Sequence, residues 1–482
     1  MKTFFSGIIS LLLASVPGLT FSQVSFERTY GGFQGELGNG VVQTSDHGYA
    51  ILSTYMGDGS VIMGVASIIK TDSLGNLEWQ KSITDSIFTH WTWGQNIALT
   101  RDSGFVTTGF CMQHFGGFGQ HIIVTKANQN GDLMWFKVYD SLYTGYYGSY
   151  GYDIIETKDD AYILTGIVID STTFMNKTIV MKIDSVGNTL WQLSDTGLHR
   201  ATGFSIAEDE DGNYLAFGYT TDSLSSESLM YLIKIDSTGN IIWSKNYTWT
   251  GGNGYTSGND VISEHNGHYF LFGTGMDAGT TTGEMLLIQT DTAGNVQWSN
   301  SYPNNLAEGY AFDLTNDNGF IMSGRTYNGN TDIFLVKADS SGTEQWSTTF
   351  GGGGQDFPHS IKQTTDGGFV ICGSTASYGA GNLDAYLIKT TDTGAVAVEV
   401  PRINDATFSI SIFPNPTSEK LFLNSSINIV SLKILDFIGK ELFTVTVFQN
   451  KVEMDIRFLS SGIYFLQVQT EKGNVVKRFI KE

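Results

Sequence analysis

The chain alternates short apolar runs with short polar turns, and one kind of turn recurs through most of its length. The turn begins with Asp or Asn, usually contains Gly, and has an aromatic residue at its fourth position that opens an apolar run. A small residue follows the start of each turn by seven positions. Such runs, bounded by Asp, Asn and Gly, predict β-strands joined by tight turns. The seven aromatic residues are Tyr49, Phe105, Tyr162, Tyr214, Tyr269, Phe320 and Phe369.

A second pattern follows each of these turns in fixed register. A Lys, or once Gln289, closes the next apolar strand, and a Gly stands five residues later. Nine residues after six of these positions stands a Trp. Constant spacing in seven copies of about 50 residues predicts a repeat protein. The Lys residues are Lys70, Lys126, Lys182, Lys234, Lys337 and Lys389, and the Trp residues are Trp79, Trp135, Trp191, Trp243, Trp298 and Trp346.

Each copy holds two predicted hairpins, which make a four-stranded antiparallel sheet. Asp-x-Gly and Asp-x-x-Gly-Asn turns supply the positive φ angles that tight connections between strands require. A single sheet of this size buries little surface, so neighbouring copies must stack face to face. Radial stacking gives a propeller, whereas linear stacking gives a solenoid.

The incomplete seventh copy favours the ring. Val398 stands where the seventh Trp is due, while Phe26 precedes Tyr30 by four residues. The same spacing separates Trp135 from Tyr139, Trp243 from Tyr247, and Trp298 from Tyr302. We therefore predict that residues 26–32 supply the last strand of the seventh copy. The segment 396–400 is an alternative edge strand at that place.

These patterns predict an all-β chain with four parts. Residues 1–22 read as a signal peptide, and residues 23–395 as a seven-bladed β-propeller closed by its N-terminal strand. Residues 396–407 suit a linker, because residues 399–407 are polar and contain Pro401. Residues 408–482 predict a small Ig-like β-sandwich. Its predicted strands are 408–413, 420–423, 431–435, 451–456, 463–468 and 475–480.

The tail carries several short motifs in a fixed order. They are Phe413-Pro414-Asn415-Pro416, a Leu-Asp-Phe-Ile-Gly-Lys segment that contains Gly439, a Leu-Ser-Ser-Gly-Ile-Tyr segment with Gly462 and Tyr464, and the closing residues 476–480. In these motifs the tail resembles the C-terminal sorting domain of type IX secretion system cargo. The resemblance implies passage through an outer-membrane translocon and removal of the tail by a sorting protease. The cargo is then released or attached to the cell surface of a Gram-negative bacterium.

The N-terminus agrees with export. Lys2 precedes an apolar stretch at 4–16, and Thr20-Phe21-Ser22 fits a small-residue cleavage site. The apolar stretch is too short to favour a membrane span, and no later segment is long and apolar enough to be a transmembrane segment. Cys111 and Cys372 are too few for a disulfide framework, so we expect two buried, unpaired thiols.

The charge is distributed unevenly along a chain of formal net charge −21. Residues 23–400 hold 16 Lys and Arg against 40 Asp and Glu, while the tail is almost neutral. Because a strongly acidic surface repels phosphate backbones, nucleic acid is an unfavourable partner.

The sequence contains no recognised catalytic motif. A nucleophile-elbow Gly-x-Ser-x-Gly and zinc-type His spacing are both absent. The Asp-rich turn at 209–213 suggests calcium, but it lacks the Glu that completes an EF-hand loop. We therefore predict no cofactor, with calcium as the alternative. The repeated Trp could form a ligand-binding ring and the repeated Lys could line a channel, but we predict packing between copies and salt bridges to the Asp turns.

Irregular aromatic insertions between copies are the predicted ligand-binding site. The residues are Trp91, Trp93, Tyr146, Tyr147 and Trp249. Exposed aromatic side chains on one face would suit a glycan or a surface protein. The first hypothesis is therefore a non-catalytic binding module, secreted or on the cell surface. The alternatives are a polysaccharide hydrolase or lyase that uses the propeller channel, and a structural component of an extracellular matrix.

Overall fold

The computed structural model describes residues 23–32, 35–56, 64–84, 91–112, 119–139, 146–194, 200–221, 227–248, 255–264, 266–276, 283–380, 382–396, 410–435, 441–470 and 473–482. The chain divides into two compact units, Met1–Ala397 and Val398–Glu482. The predicted signal peptide, and the predicted linker except for residue 396, fall outside the described residues. Regular structure within the described ranges consists of β-strands.

The first unit begins with β1 (Phe26–Tyr30) and continues with four-stranded antiparallel sheets, each built from consecutive strands. Sheet one holds β2 (Glu36–Gln43), β3 (Tyr49–Tyr55), β4 (Val65–Thr71) and β5 (Leu77–Ser82). Sheet two holds β6 (Trp91–Leu99), β7 (Phe105–Met112), β8 (Gln120–Ala127) and β9 (Leu133–Tyr139). Sheet three holds β10 (Tyr146–Glu156), β11 (Tyr162–Asp170), β12 (Asn176–Ile183) and β13 (Thr189–Ser194). Sheet four holds β14 (Arg200–Glu208), β15 (Tyr214–Thr221), β16 (Ser228–Ile235) and β17 (Ile241–Tyr247).

The remaining sheets of this unit follow the same plan. Sheet five holds β18 (Tyr255–Glu264), β19 (His268–Met276), β20 (Gly283–Asp291) and β21 (Val296–Pro303). Sheet six holds β22 (Glu308–Leu314), β23 (Phe320–Tyr327), β24 (Thr331–Ala338) and β25 (Glu344–Phe350). Sheet seven holds β26 (Asp356–Gln363), β27 (Phe369–Thr375) and β28 (Asp384–Thr390), and its fourth strand is β1. The pairing of β1 with β28 is antiparallel and sets Phe26 opposite Lys389.

Apolar cores lie between neighbouring sheets. The first strand of sheets two to seven contacts the sheet before it, and β2 contacts β26, β27 and β28 of sheet seven. The middle strands are almost fully buried because both of their faces meet a neighbouring sheet, as the pattern of β4 shows. The outermost strands alternate between half-buried and exposed side chains, as in β5. The hydrophobic pattern of the repeat is thus explained by stacking on both faces of each sheet.

The recurring Trp residues pack against the recurring Gly residues of the next copy. Gly239 has φ 95°, and a Cβ atom there would lie 2.9 Å from the ring of Trp191. Phe26 takes the corresponding place against Gly75, where a Cβ atom would lie 2.5 Å from its ring. Tyr30 donates a hydrogen bond to the carbonyl of Gly75 at 2.7 Å, as Tyr139, Tyr247 and Tyr302 do to the carbonyls of Gly187, Gly294 and Gly342. The predicted packing role of the Trp residues is confirmed.

The recurring Lys residues form ion pairs with the Asp turns, as predicted. Each ammonium group is buried, while most partner carboxylates are partly exposed, and the N–O distances are 2.6–3.1 Å. Burial of Asp46 would raise its pKa, but the Lys70 ammonium, the Thr44 hydroxyl and a backbone amide outweigh it and hold the pKa at about 2. The pairs are Lys70–Asp46, Lys126–Asp102, Lys182–Asp159, Lys234–Asp209, Lys337–Asp317 and Lys389–Asp366.

The second unit is a single hydrogen-bonded sheet with one apolar core. Its strands are β29 (Ile410–Phe413), β30 (Lys420–Leu435), β31 (Glu441–Asp455), β32 (Gly462–Thr470) and β33 (Gly473–Lys481). The predicted division at 424–430 is wrong, because β30 runs through it with register shifts around Ile429. The Ig-like sandwich therefore stays a prediction, whereas the β character of the tail is confirmed.

Two further expectations concern the described residues. Neither Cys111 nor Cys372 forms a disulfide with a described residue, and both are buried, as predicted. Burial also raises the pKa of the Cys372 thiol well above its ordinary range, which disfavours the reactive thiolate. No helix in the described ranges is long and apolar enough to cross a membrane.

Candidate functional site

Every first strand of the seven sheets carries a β-bulge at the same position. The register shift follows a Gly in six strands and Pro358 in the seventh. A bulge inserts one residue and redirects side chains, so it changes what the strand presents. All seven bulged residues line one cavity of about 870 Å³. They are Asn39, Gln95, Tyr152, Phe204, Asn259, Tyr310 and His359, which we name the bulge ring.

The cavity is lined by residues of the first strand of each of the seven sheets, together with Thr274 and Met276 of β19. It extends from Tyr255 at the start of β18 to Leu99 at the end of β6. Tyr255 is 45% exposed and Leu99 is 37% exposed, so the lining reaches solvent at both strand ends. The bulge ring is therefore accessible to a ligand from outside.

Much of the bulge ring is aromatic, and two of its members belong to a longer row of aromatic side chains. The row crosses sheets two, three and four, and its six side chains are all half-buried. Neighbouring ring centroids are 4.6–6.4 Å apart, within the range of favourable aromatic pairs. In order, the aromatic row is Trp93, Phe110, Tyr150, Tyr152, Phe204 and Tyr219.

Tyr310 and His359 form a second aromatic contact on another part of the bulge ring. Their ring centroids are 6.1 Å apart in an edge-to-face arrangement. Burial lowers the pKa of His359 to about 4, so the imidazole is neutral at physiological pH. Burial raises the pKa of Tyr310, although the nearby Arg325 opposes this. Arg325 in turn pairs with Glu308 at 2.8 Å.

Carboxamides complete the bulge ring. Asn39 donates a hydrogen bond to Thr54 at 2.9 Å. The Oδ1 atom of Asn259 is buried and has no hydrogen-bond partner among the described residues. A buried carbonyl oxygen without a donor is costly, because it loses its bonds to water on folding. Asn259 is therefore the polar group of the ring with the strongest need for a ligand or a bound water molecule.

Two aspartates of the cavity lining, each directly after a bulge-ring residue in the chain, join the sheets to one another. Asp153 accepts hydrogen bonds from Asn96 at 2.6 Å and from the backbone amide of Ile206 at 2.8 Å. Asp260 accepts from Ser205 at 2.9 Å and from the amide of Phe312 at 3.1 Å. Each carboxylate thus receives an amide of the next sheet, which makes these aspartates structural links around the cavity.

The cavity wall has a surplus of negative charge. Lys362 is the one lysine among the described residues that line the cavity. The charge of Asp313, 3.7 Å from its ammonium group, is the largest cause of the raised pKa of Lys362. Burial raises the pKa of Asp153. Burial also raises the pKa of Asp260 to about 6, where Lys362 opposes and Asp153 reinforces the shift. Acidic side chains in the lining are Asp153, Glu156, Glu208, Asp260 and Glu308.

The raised pKa of Asp260 predicts a pH-dependent stability. The folded state favours the protonated carboxyl, so stability that is present below about pH 4, the ordinary Asp value, is lost as the pH rises to about 6. Asp260→Asn removes this titration but also disturbs the bond to Phe312. We therefore expect the melting temperature of the wild type, minus that of the variant, to fall between about pH 4 and about pH 6.5. A difference that is constant over this interval would contradict the assignment.

The predicted ligand-binding residues are brought together only in part. Trp91 and Trp93 lie in β6 and are half-buried, and Tyr146 and Tyr147 lie at the start of β10, where their side chains are outside the described set. Trp249 is also outside the described residues. Placing the four β6 and β10 residues in loop insertions was wrong, because both strands continue through them. Of this set, Trp93 joins the aromatic row.

The sorting motif residues surround the core of the second unit. Phe413 stacks on Phe422 with centroids 5.9 Å apart, and Tyr464 stacks on Phe479 at 5.7 Å. Asn415 accepts a hydrogen bond from the amide of Ile480 at 2.9 Å. Pro414 and Pro416 flank this asparagine, Gly462 begins β32, and Gly439 lies outside the described residues.

The Asp-rich turn at 209–213 is occupied by internal bonds. Asp209 pairs with Lys234 at 2.9 Å, and it accepts hydrogen bonds from Tyr269 at 3.0 Å and from the amide of Asn213 at 2.8 Å. These contacts to protein groups explain the presence of Asp209 in the turn without a metal ion. Across the described ranges, no group of three or more His, Cys, Asp and Glu side chains could hold a metal ion.

The bulge ring was missed at the sequence level although its signal is visible. A Gly, or Pro358 in the last copy, stands eight residues before the first residue of each Asp or Asn turn. Each bulged residue directly follows it. The Gly positions are Gly38, Gly94, Gly151, Gly203, Gly258 and Gly309.

Comparison with known proteins identifies the tail. Residues 411–482 match the family described as the secretion system C-terminal sorting domain. No curated protein matches the chain. Among solved structures, PorZ, a surface component of the type IX secretion system of Porphyromonas gingivalis, is 13% identical over 91% of this chain and 69% of its own, with a TM-score of 0.36.

Two further solved structures match a smaller share of the chain. A protein of unknown function from Dyadobacter fermentans is 10% identical over 77% of this chain and 99% of its own, with a TM-score of 0.47. A polysaccharide lyase of family PL25, an ulvan lyase, is 10% identical over 77% of this chain and 97% of its own, with a TM-score of 0.49. The tail match, together with the order of its motifs, identifies the chain as type IX secretion cargo that is exported to the cell surface or the extracellular space.

Proposed function

We propose that the first unit is a closed seven-bladed β-propeller that binds a neutral glycan at the bulge ring, without catalysis. The observation that carries this proposal is the convergence of aromatic and carboxamide side chains on one accessible cavity. After export the module would act outside the cell, once the sorting domain has been removed by its protease. Closure, ligand and the lack of catalysis are all parts of the proposal.

Closure is supported by the contacts of the N-terminal strand. Phe26 and Tyr30 make the same contacts with Gly75 that Trp and Tyr residues make at the other junctions. Sheet seven also shares one apolar core with sheet one, through Val41, Ile51 and Leu387 among others. A closed ring needs this junction between sheets seven and one. An open stack would instead leave the outer face of the first sheet and the outer face of the last sheet exposed.

A sugar presents an apolar CH face and several hydroxyl groups. The CH face matches aromatic faces such as those of Tyr152 and Phe204. The hydroxyl groups match the carboxamides of Gln95 and Asn259. The surplus of acidic side chains in the wall repels uronic acids and sulfated sugars. These features favour a neutral saccharide.

The aspartates of the cavity argue against hydrolysis. A glycosidase needs two carboxyl groups that are free to reach the glycosidic bond. Asp153 and Asp260 instead accept backbone amides of the next sheet. Binding therefore accounts for the described contacts better than catalysis does.

A polysaccharide lyase or hydrolase is the second candidate. The neutral imidazole of His359 and the raised pKa of Asp260 are properties of proton-transfer groups. Incubation of the purified chain with a panel of neutral and acidic polysaccharides discriminates between the candidates. New reducing ends or unsaturated products that disappear in His359→Ala would favour catalysis and would overturn the non-catalytic proposal.

The binding proposal is tested on a glycan array with the double variant Tyr152→Ala, Phe204→Ala. Each lost aromatic face is expected to weaken binding by about two- to tenfold, since one stacking contact contributes about 0.5–1.5 kcal/mol beyond its buried area. Tyr327→Ala is the matched control, because Tyr327 is 50% exposed and does not line the cavity. Thermal unfolding checks that both variants are folded. Unchanged glycan retention by the folded double variant would remove the bulge ring as the binding site.

A further inference from the structure

Two acidic side chains meet at the junction of sheets six and seven. Asp332 lies in β24, and Asp356 begins β26 after the Gly-rich connection 351–354. Both carboxylates lie against Gly351, whose φ is 152°: a Cβ atom there would be 2.7 Å from Asp356 Oδ2 and would clash with Asp332 Oδ1. The absence of a side chain at residue 351 is what lets the two carboxylates converge.

The negative charge at this junction is not balanced by protein groups among the described residues. Asp356 is fully buried, and its Oδ1 atom has no hydrogen-bond partner there. Its Oδ2 atom accepts from Ser377 at 2.6 Å and from the amide of Gly352 at 3.0 Å. Asp332 accepts from Asn330 at 3.1 Å. No ion pair found in the described ranges includes either acid.

The fold itself does not require acids at this place. The residue equivalent to Asp356 is a hydroxyl or alanine at five other junctions: Thr92, Ser149, Ala201, Thr256 and Ala307. At three of these junctions the hydroxyl accepts a hydrogen bond from a backbone amide of the preceding sheet, at 3.0–3.1 Å. A neutral side chain therefore satisfies the junction.

The acidic arrangement occurs once more, between sheets seven and one. There Glu36 is the equivalent of Asp356, Asp384 that of Asp332, and Gly31 that of Gly351. Burial, with the charge of Asp384 as a further cause, raises the pKa of Glu36, although Ser53 and Gln80 donate to its carboxylate. Likewise, burial and then the charge of Asp356 raise the pKa of Asp332. A pair of acids at the equivalent positions thus recurs at the second junction next to sheet seven.

We propose that Asp332 and Asp356 bind a calcium ion that links sheets six and seven. Calcium takes six to eight oxygen ligands, which include carboxylates, main-chain carbonyls and water, so two acids are a sufficient charged core for a site. The orphan Oδ1 atom of Asp356 would be one ligand. A bound divalent cation removes the repulsion between the buried carboxylate of Asp356 and the half-buried carboxylate of Asp332, and it favours the folded state over the unfolded chain. Extracellular modules commonly bind calcium in the range of about 10⁻⁴–10⁻³ M, which suits an exported protein.

The test uses the full chain after removal of the signal peptide, and inorganic ions as probes. Calcium at a few millimolar is expected to raise the melting temperature, and excess chelator to reverse the rise. Terbium should give luminescence sensitised by Tyr378, whose hydroxyl donates to the Gly351 carbonyl at 2.6 Å, and calcium should displace it. Asp332→Asn and Asp356→Asn are expected to abolish both signals. Asp236→Asn, in an exposed turn, is the control for the loss of one charge and should retain both.

The melting temperature and terbium luminescence of the wild-type protein test the calcium proposal even if a variant fails to fold. A melting temperature that is the same with calcium and with chelator, together with no calcium-sensitive terbium signal, would overturn the proposal. In that case protonation of Asp332 is the remaining account of the pair. It predicts that the melting temperature of the wild type falls relative to Asp332→Asn as the pH rises above about 4.

Discussion

Phe26→Ala is expected to lower the free energy of unfolding of the repeat unit by about 3–5 kcal/mol, the range for a buried Phe truncated to Ala. The side chain is only 5% exposed, and it packs on Gly75 and on the ring of Tyr49, 6.0 Å away. The variant leaves a cavity at the junction of sheets seven and one, where β1 completes the last sheet. Chemical denaturation followed by tryptophan fluorescence measures the change.

Two further variants make this result specific. Phe174→Ala removes the same side chain from a position that is 63% exposed, and it should change the unfolding free energy by less than about 1 kcal/mol. Phe26→Trp should be tolerated, because six junctions hold Trp at the equivalent place. A small effect of Phe26→Ala, equal to that of Phe174→Ala, would mean that β1 does not close the ring.

Deletion of residues 408–482 is expected to stop export and leave the protein in the periplasm. The match to the sorting domain begins at residue 411, so the deletion removes all of it. The repeat unit is a separate compact unit and should keep its melting temperature. Cell fractionation, with immunodetection of the repeat unit, measures the location.

A complementary fusion protein tests whether the tail is sufficient. Residues 398–482 fused behind a periplasmic reporter should carry the reporter to the cell surface or the medium. Arrival of the truncated chain at the cell surface in normal amount would contradict the sorting assignment. A reporter that stays in the periplasm would show that the tail needs the repeat unit for recognition.

The strands and their junctions could be predicted from the sequence because their causes are local and repeated. The turn glycines, the alternation of apolar residues and the spacing of Trp to Lys all recur from copy to copy. The register of the strands is therefore indicated by several copies of each signal at once. The exchange of Trp for Phe26 was visible for the same reason. Where the tail offers one copy only, the prediction split β30 into two strands, since the polar residues Asn424, Ser425 and Ser426 resemble a turn.

The candidate site was harder to predict because it is formed by differences between copies. The bulge position is regular, but its occupants range from Asn39 to His359, and their meeting depends on how the sheets are arranged around the cavity. Trp91 and Trp93 looked like an insertion because they interrupt the repeat, and yet β6 includes both. The acid pair of Asp332 and Asp356 is 24 residues apart in the chain and gave no motif at all.

The pairing of β1 with β28 also sets the order in which the protein can mature. Phe26 and Lys389 are neighbours in space but stand at opposite ends of the repeat region, so the last sheet cannot be completed before the whole region has been synthesised. Until then β1 has no partner strand, and an unpaired strand is a template for aggregation. We therefore expect the nascent repeat region to depend on periplasmic chaperones, and a chain interrupted before residue 384 to be cleared by proteolysis.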